Sequence, residues 1–196
     1  MALMALTHLA YLHGFRSSPL SIKARRVAQW LAQHRPDVVW YGPQLPPSPA
    51  EAMNAVLTQV AGWPRDSMAV VGSSLGGFYA TVAAEQIGCR AVLLNPAVDP
   101  ARDLTKYIGE ISAWHSDERF HFRAGFVDEL RRMSPATLTD PGRYLAIIAK
   151  GDEVLDWREM SARYTGCGIK LLEGSDHALS DFDAHLPDLL HFLGLR

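Results

Sequence analysis

Three sets of side chains have the types and the order needed for nucleophilic chemistry: a serine at 74, acids at 152, 153 and 156, and a histidine at 177. Ser74 is the centre of Gly72-Ser73-Ser74-Leu75-Gly76, a Gly-x-Ser-x-Gly pentapeptide. Glycines two residues to either side remove the collisions that a sharp turn around the serine would otherwise create. A serine hydroxyl becomes a useful nucleophile when a neighbouring base takes its proton, and histidine is the usual base. A carboxylate on the far ring nitrogen then fixes the tautomer that leaves the near nitrogen free to accept. The chemistry so specified is acyl transfer through a serine. The backbone amide of Leu75 is expected to face the oxyanion, with the positive end of the following helix behind it.

Such residues act only if the fold delivers them to one place. Residues 67–71 read as a short buried strand and residues 75–87 as a helix, the strand-turn-helix context that the pentapeptide requires. A strand over 143–149 delivers Lys150-Gly151-Asp152-Glu153-Val154-Leu155-Asp156 at its carboxyl end. Asp152, first after Gly151, is expected to turn back towards His177. Asp156 is the alternative acid but is well placed to cap a helix beginning near Trp157, and Glu153 points the other way if the chain stays extended. A last strand over 168–172 runs into Glu173-Gly174-Ser175-Asp176-His177. Among the eight histidines, His177 alone falls in a glycine-containing loop after the final strand; His34, His115, His121, His185 and His191 read as helix ends or surfaces.

A strand over 7–12 ends at His13-Gly14-Phe15. In hydrolases with a serine on such a turn, the loop after the first central strand gives the second oxyanion amide, which here is that of Phe15. Gly14 permits the close approach, and His13 is read as ordering the loop through hydrogen bonds. Pro19 is expected to open a helix to about His34, with Leu20, Ala24, Val27, Ala28 and Leu31 towards the sheet. A short strand at 38–41 and a rigid proline-rich connector at 42–49 follow. Ser48, Pro49 and Glu51 then start a helix to about Ala61. Residues 91–94 form another strand, ending at Asn95-Pro96-Ala97. This alternation implies an α/β fold with a parallel sheet covered on both faces and a site at the carboxyl ends of its strands. Residues 99–143 break the pattern and are expected to be an inserted helical cap, the alternative being one crossover helix with long loops. Phe15, Phe78, Trp114, Phe120 and Phe126 are the aromatic residues expected to line a pocket beneath it.

The 196 residues, 48% hydrophobic and 20% charged, suit a single domain, 1–196. A formal net charge of -2 and a pI near 6.4 give no general attraction to nucleic acid or anionic lipid. Lys23, Arg25 and Arg26, and Arg131 with Arg132, are read as solvated helix faces. Cys89 and Cys167 lie far apart without metal-ligand spacing, which suits a reducing compartment. The apolar opening Met1-Ala2-Leu3-Met4-Ala5-Leu6 lacks a basic start and runs into a strand, so a cytoplasmic address is expected.

The order serine, acid, histidine, each just past a strand, resembles the α/β-hydrolase superfamily. His13-Gly14-Phe15 with Ser17-Ser18-Pro19, Gly72 to Gly77, Asn95-Pro96-Ala97, Gly151 to Asp156 and Gly174 to His177 are more closely similar to the YqiA-like family of small bacterial esterases. The likeness covers nearly the whole chain. It implies a cytoplasmic hydrolase of small-molecule carboxylic esters or thioesters, using Ser74, Asp152 and His177 with the Phe15 and Leu75 amides, and needing neither metal nor organic cofactor. It also implies a minimal α/β-hydrolase fold, a mostly parallel six-stranded sheet of order 2-1-3-4-5-6. The same residues could serve hydrolysis of peptide or carbon-carbon bonds, and the same fold a binding protein without turnover.

Overall fold

The computed structural model describes residues 5–112 and 119–196. In chain order the elements are β1 (His8–Leu12), α1 (Ile22–His34), β2 (Val39–Tyr41), α2 (Pro49–Val60), β3 (Met68–Ser73), α3 (Leu75–Ile87) and β4 (Arg90–Leu94). They continue with α4 (Pro100–Leu104), β5 (Gly109–Ser112), β6 (Arg119–Phe122), α5 (Ala124–Met133), β7 (Tyr144–Ala149), α6 (Trp157–Arg163), β8 (Gly168–Leu172) and α7 (Leu186–Phe192).

The main sheet runs β2-β1-β3-β4-β7-β8 with every pairing parallel. Counted over its own strands that is the order 2-1-3-4-5-6. Strand residues alternate between two buried layers, as a sheet covered on both faces demands. Met68 and Val70 of β3 face α2, α3 and α6, whereas Ala69 and Val71 face α1 and α7. The chain reverses direction across the sheet between β1 and β3, and a crevice opens outside the carboxyl ends of strands at such a reversal. Phe15 lies just past β1 and Ser74 just past β3.

Two expectations are corrected. Helix α1 begins at Ile22, because the segment before it closes its own turn: Ser18 Oγ accepts from the Leu20 amide and the Ser18 carbonyl from the Ser21 amide. Serine next to proline satisfies the backbone locally in this way, and Leu20, left outside the helix, is 68% exposed. The stretch 99–143, expected to be helical, carries α4, an antiparallel β5-β6 hairpin and α5. The alternation of the hairpin turns Phe122 inward to stack edge-on against Phe15 at 5.2 Å, while Glu110 and His121 stay exposed. His121 is therefore a strand residue. Met1 to Met4, Trp114 and His115 lie outside the described residues.

The capping expectations meet the structure with one addition. Ser48 accepts from the Glu51 amide at 3.2 Å, and its hydroxyl donates to Glu129 of α5 at 2.8 Å. Glu129 also accepts from the Ala50 amide at 2.9 Å. A carboxylate from the inserted stretch thus caps the amino end of α2, which is the electrostatically favoured end. Among the described residues no helix is long and apolar enough to cross a membrane.

Candidate active site

Ser74 occupies φ 56°, ψ -121°, a conformation that L-residues rarely adopt and that costs about 1–3 kcal/mol. The turn is held by backbone on every side. The Ser74 amide donates to the Leu94 carbonyl at 3.0 Å, and its own carbonyl accepts from Gly77 at 2.8 Å and Ala97 at 3.0 Å. The flanking glycines are compulsory: a Cβ on Gly72 would lie 1.9 Å from the Gly76 carbonyl oxygen, and one on Gly76 would lie 1.9 Å from that of Leu12. Ser73, by contrast, is buried.

His177 Nε2 lies 3.0 Å from Ser74 Oγ, and His177 Nδ1 lies 2.8 Å from Asp152 Oδ2. The Asp152 side chain is fully buried and that of His177 is 21% exposed. The other Asp152 oxygen accepts from the amides of Val154 and Leu155, both at 2.8 Å, so the carboxylate is locked before it meets the ring. Asp156 does something else: it accepts from the Arg158 amide at 2.9 Å and caps α6. The three acids that the sequence left in competition are separated by their partners.

Phe15 and Leu75 border Ser74 and His177 in one cavity of about 180 Å³. Among the described residues neither the Phe15 nor the Leu75 amide donates to another protein group. Gly14 passes so close that a Cβ would touch Ser74 Cβ at 3.2 Å. His13 is buried; its Nε2 accepts from the Leu45 amide at 3.0 Å, and its Nδ1 lies 2.9 Å from the Gly14 carbonyl. An acceptor at Nε2 puts the proton on Nδ1, which donates to Gly14. His13 therefore ties the Gly14 loop to the proline-rich connector.

That connector helps form a second, larger cavity of about 380 Å³ on the other side of Phe15 and Leu75, with Leu45, Pro47, Tyr79 and Phe120 in its wall. Of the aromatic residues expected at a pocket, Phe15 and Phe120 are there, whereas Phe126 packs on Phe122 and Phe78 is buried in the core against Tyr79.

Sequence reasoning missed three residues behind the histidine. Asn95, buried at the end of β4 with φ 42°, donates to the carbonyls of Asp176 at 3.0 Å and His177 at 3.2 Å and accepts from the Ala149 amide at 2.8 Å. Glu153 does not point away: it accepts from the His177 amide at 3.0 Å. Lys23, read as part of a solvated face, donates to the Ala178 carbonyl. The helical spacing of 23, 27 and 31 was the available sign, because Val27 and Leu31 are buried on that stripe.

Residues 8–194 match the uncharacterised protein family UPF0227. The chain belongs to that family. Its fold is that of the α/β hydrolases. Alpha/beta hydrolase domain-containing protein 10 from mouse superposes with a TM-score of 0.68 at 17% identity, over 95% of this chain and 90% of that one. Est1E from Butyrivibrio proteoclasticus gives 0.68 at 16%, over 97% and 89%. The esterase domain of a Rhodothermus marinus protein gives 0.68 at 18%, over 97% and 87%. At such identities the likeness carries the fold; chemistry has to be argued from the site.

Proposed function

We propose that the protein is a serine hydrolase of small-molecule carboxylic esters or thioesters, with Ser74 as nucleophile, His177 as base and Asp152 as its orienting acid. The observation that carries this is the unbroken line from Asp152 Oδ2 through the His177 ring to Ser74 Oγ, at 2.8 and 3.0 Å. His177 takes the hydroxyl proton as Oγ bonds to the acyl carbon, and the carbonyl π pair moves onto oxygen. The Phe15 and Leu75 amides stabilise that oxyanion, each worth roughly 3–4 kcal/mol of barrier. Collapse breaks the bond to the alcohol or thiol, which leaves with the proton from Nε2. Water, deprotonated by the same nitrogen, then releases the acid from the acyl-enzyme.

The two cavities divide the substrate. The leaving group must lie within reach of His177, so it occupies the smaller cavity, which contains that residue. The acyl group then extends past Phe15 and Leu75 into the larger one, whose wall is mostly aromatic and aliphatic with Arg16, Gln44 and Arg119 among it. Esterases among the structural neighbours support the same reaction class, and one of them, Est1E, is described with ferulic acid bound. The stretch 99–143, which supplies Tyr107 to one cavity and Phe120 to the other, acts as a substrate-selecting cap.

A fluorophosphonate probe tests the reading. Mass spectrometry is expected to find the adduct on Ser74 and to find none in Ser74→Ala. An adduct on Ser73, or undiminished labelling of Ser74→Ala, rejects it.

A further inference from the structure

The loop carrying His177 is held through its backbone at three consecutive residues by side chains from three different elements. Asn95 holds the carbonyls of Asp176 and His177, Glu153 holds the His177 amide, and Lys23 of α1 holds the Ala178 carbonyl. Gly151 lies against the same loop, where a Cβ would come within 2.2 Å of the Ser175 carbonyl oxygen. Lys23 is the one cation of the three contacts, and the charges of Asp176 and Asp152 act on it.

The charged groups around it are otherwise engaged. On α1, Arg26 pairs with Asp183 at 3.1 Å. In the histidine loop, Asp176 accepts from Ser180, and Asp181 is hydrogen-bonded to Ser175 and His185. After β7, Asp152 is taken by His177 and two amides, and Glu153 by the His177 amide.

We propose that Lys23 is a positioning residue for His177: its ammonium fixes the Ala178 carbonyl and places positive charge behind Asp152, keeping the imidazole aimed at Ser74. The proposal rests on the hydrolase reading of the same site. Its energetics are those of a functional charge. Burial lowers the Lys23 pKa from 10.5 to about 8, even though Asp176 and Asp152 pull it upwards. Between those two values the unfolded chain binds more protons than the folded one, so this group's contribution makes stability rise with pH. Near neutrality the fold therefore keeps the ammonium at a cost, a pattern that clusters at functional sites. Raising the pH through about 8 removes the charge from behind Asp152.

The test compares wild type, Lys23→Met and Lys23→Arg by the rate of fluorophosphonate labelling at Ser74 across the lysine titration. It also follows the far-downfield proton resonance of the His177 Nδ1–H···Asp152 bond. Lys23→Met preserves length and apolar stem, and melting temperature controls for folding. Wild type is expected to lose labelling rate as pH passes about 8. Lys23→Met should label about tenfold more slowly at neutral pH, a fraction of what a positioned base contributes, and lack that loss. Its resonance should be broadened. Lys23→Arg, which stays charged, should keep the resonance and carry its rate to higher pH. A Lys23→Met protein with wild-type rate, pH profile and resonance overturns the proposal. If wild type does not label at all while the resonance still broadens only in Lys23→Met, the hydrolase reading fails and the positioning role stands.

Discussion

The turn carrying Ser74 and the loop carrying His177 meet at 3.0 Å, but the first is held by backbone packed on backbone and the second by side chains reaching in from other elements. Around Ser74 the constraints are glycines with no room for a Cβ, four backbone hydrogen bonds and a buried helix behind. Around His177 they are Asp152, Glu153, Asn95 and Lys23, drawn from segments far apart in sequence. Under the proposed mechanism, a site built this way has a nucleophile that cannot be moved without unfolding the centre of the sheet, and a base whose aim depends on side chains that can be changed one at a time.

Substitutions can break that contrast. The largest effect is expected from Gly76→Ala, whose methyl group meets the Leu12 carbonyl, a backbone atom at the end of β1. The outcome is little or no soluble folded protein, and a monomer that melts like wild type would show the turn to be softer than argued.

On the histidine side the expected loss is of activity alone. Under the proposed mechanism Asp152→Asn leaves the melting temperature near wild type and lowers turnover on an acyl ester by about 10⁴-fold, because asparagine favours the wrong imidazole tautomer. A large fall in melting temperature with little loss of turnover would make Asp152 a structural residue.

Smaller effects are expected at the cavity wall. Phe120→Ala, in the larger cavity, should reorder preference among esters of increasing acyl size while leaving the rate of fluorophosphonate labelling near wild type. An unchanged ranking would move the acyl group out of that cavity. The smallest effect belongs to Asp156→Asn. Asparagine caps helices too, so the cost is about 1 kcal/mol or less in chemical denaturation, with activity retained. A collapse of turnover in that variant would transfer the acid role to Asp156.

The order of the sheet came from a family resemblance, but the sequence by itself determined its strands and the residues that leave them. These are local properties: an apolar run of strand length, a glycine-flanked serine, a histidine after the last strand, each legible within about ten residues. It also expected Asp156 at the helix cap and Asp152 beside His177, where they lie, but turned Glu153 the wrong way. What only the tertiary structure decided lies in contacts between distant segments. Glu129 capping α2, the hairpin within 99–143 that lays Phe122 on Phe15, and the hold of Asn95, Glu153 and Lys23 on residues 176–178 all join parts of the chain that no periodicity relates. Lys23 shows the physical reason most plainly. Its place on the α1 stripe was readable, but whether a lysine there is solvated or half-buried depends on what packs opposite, and that is a carbonyl 155 residues away.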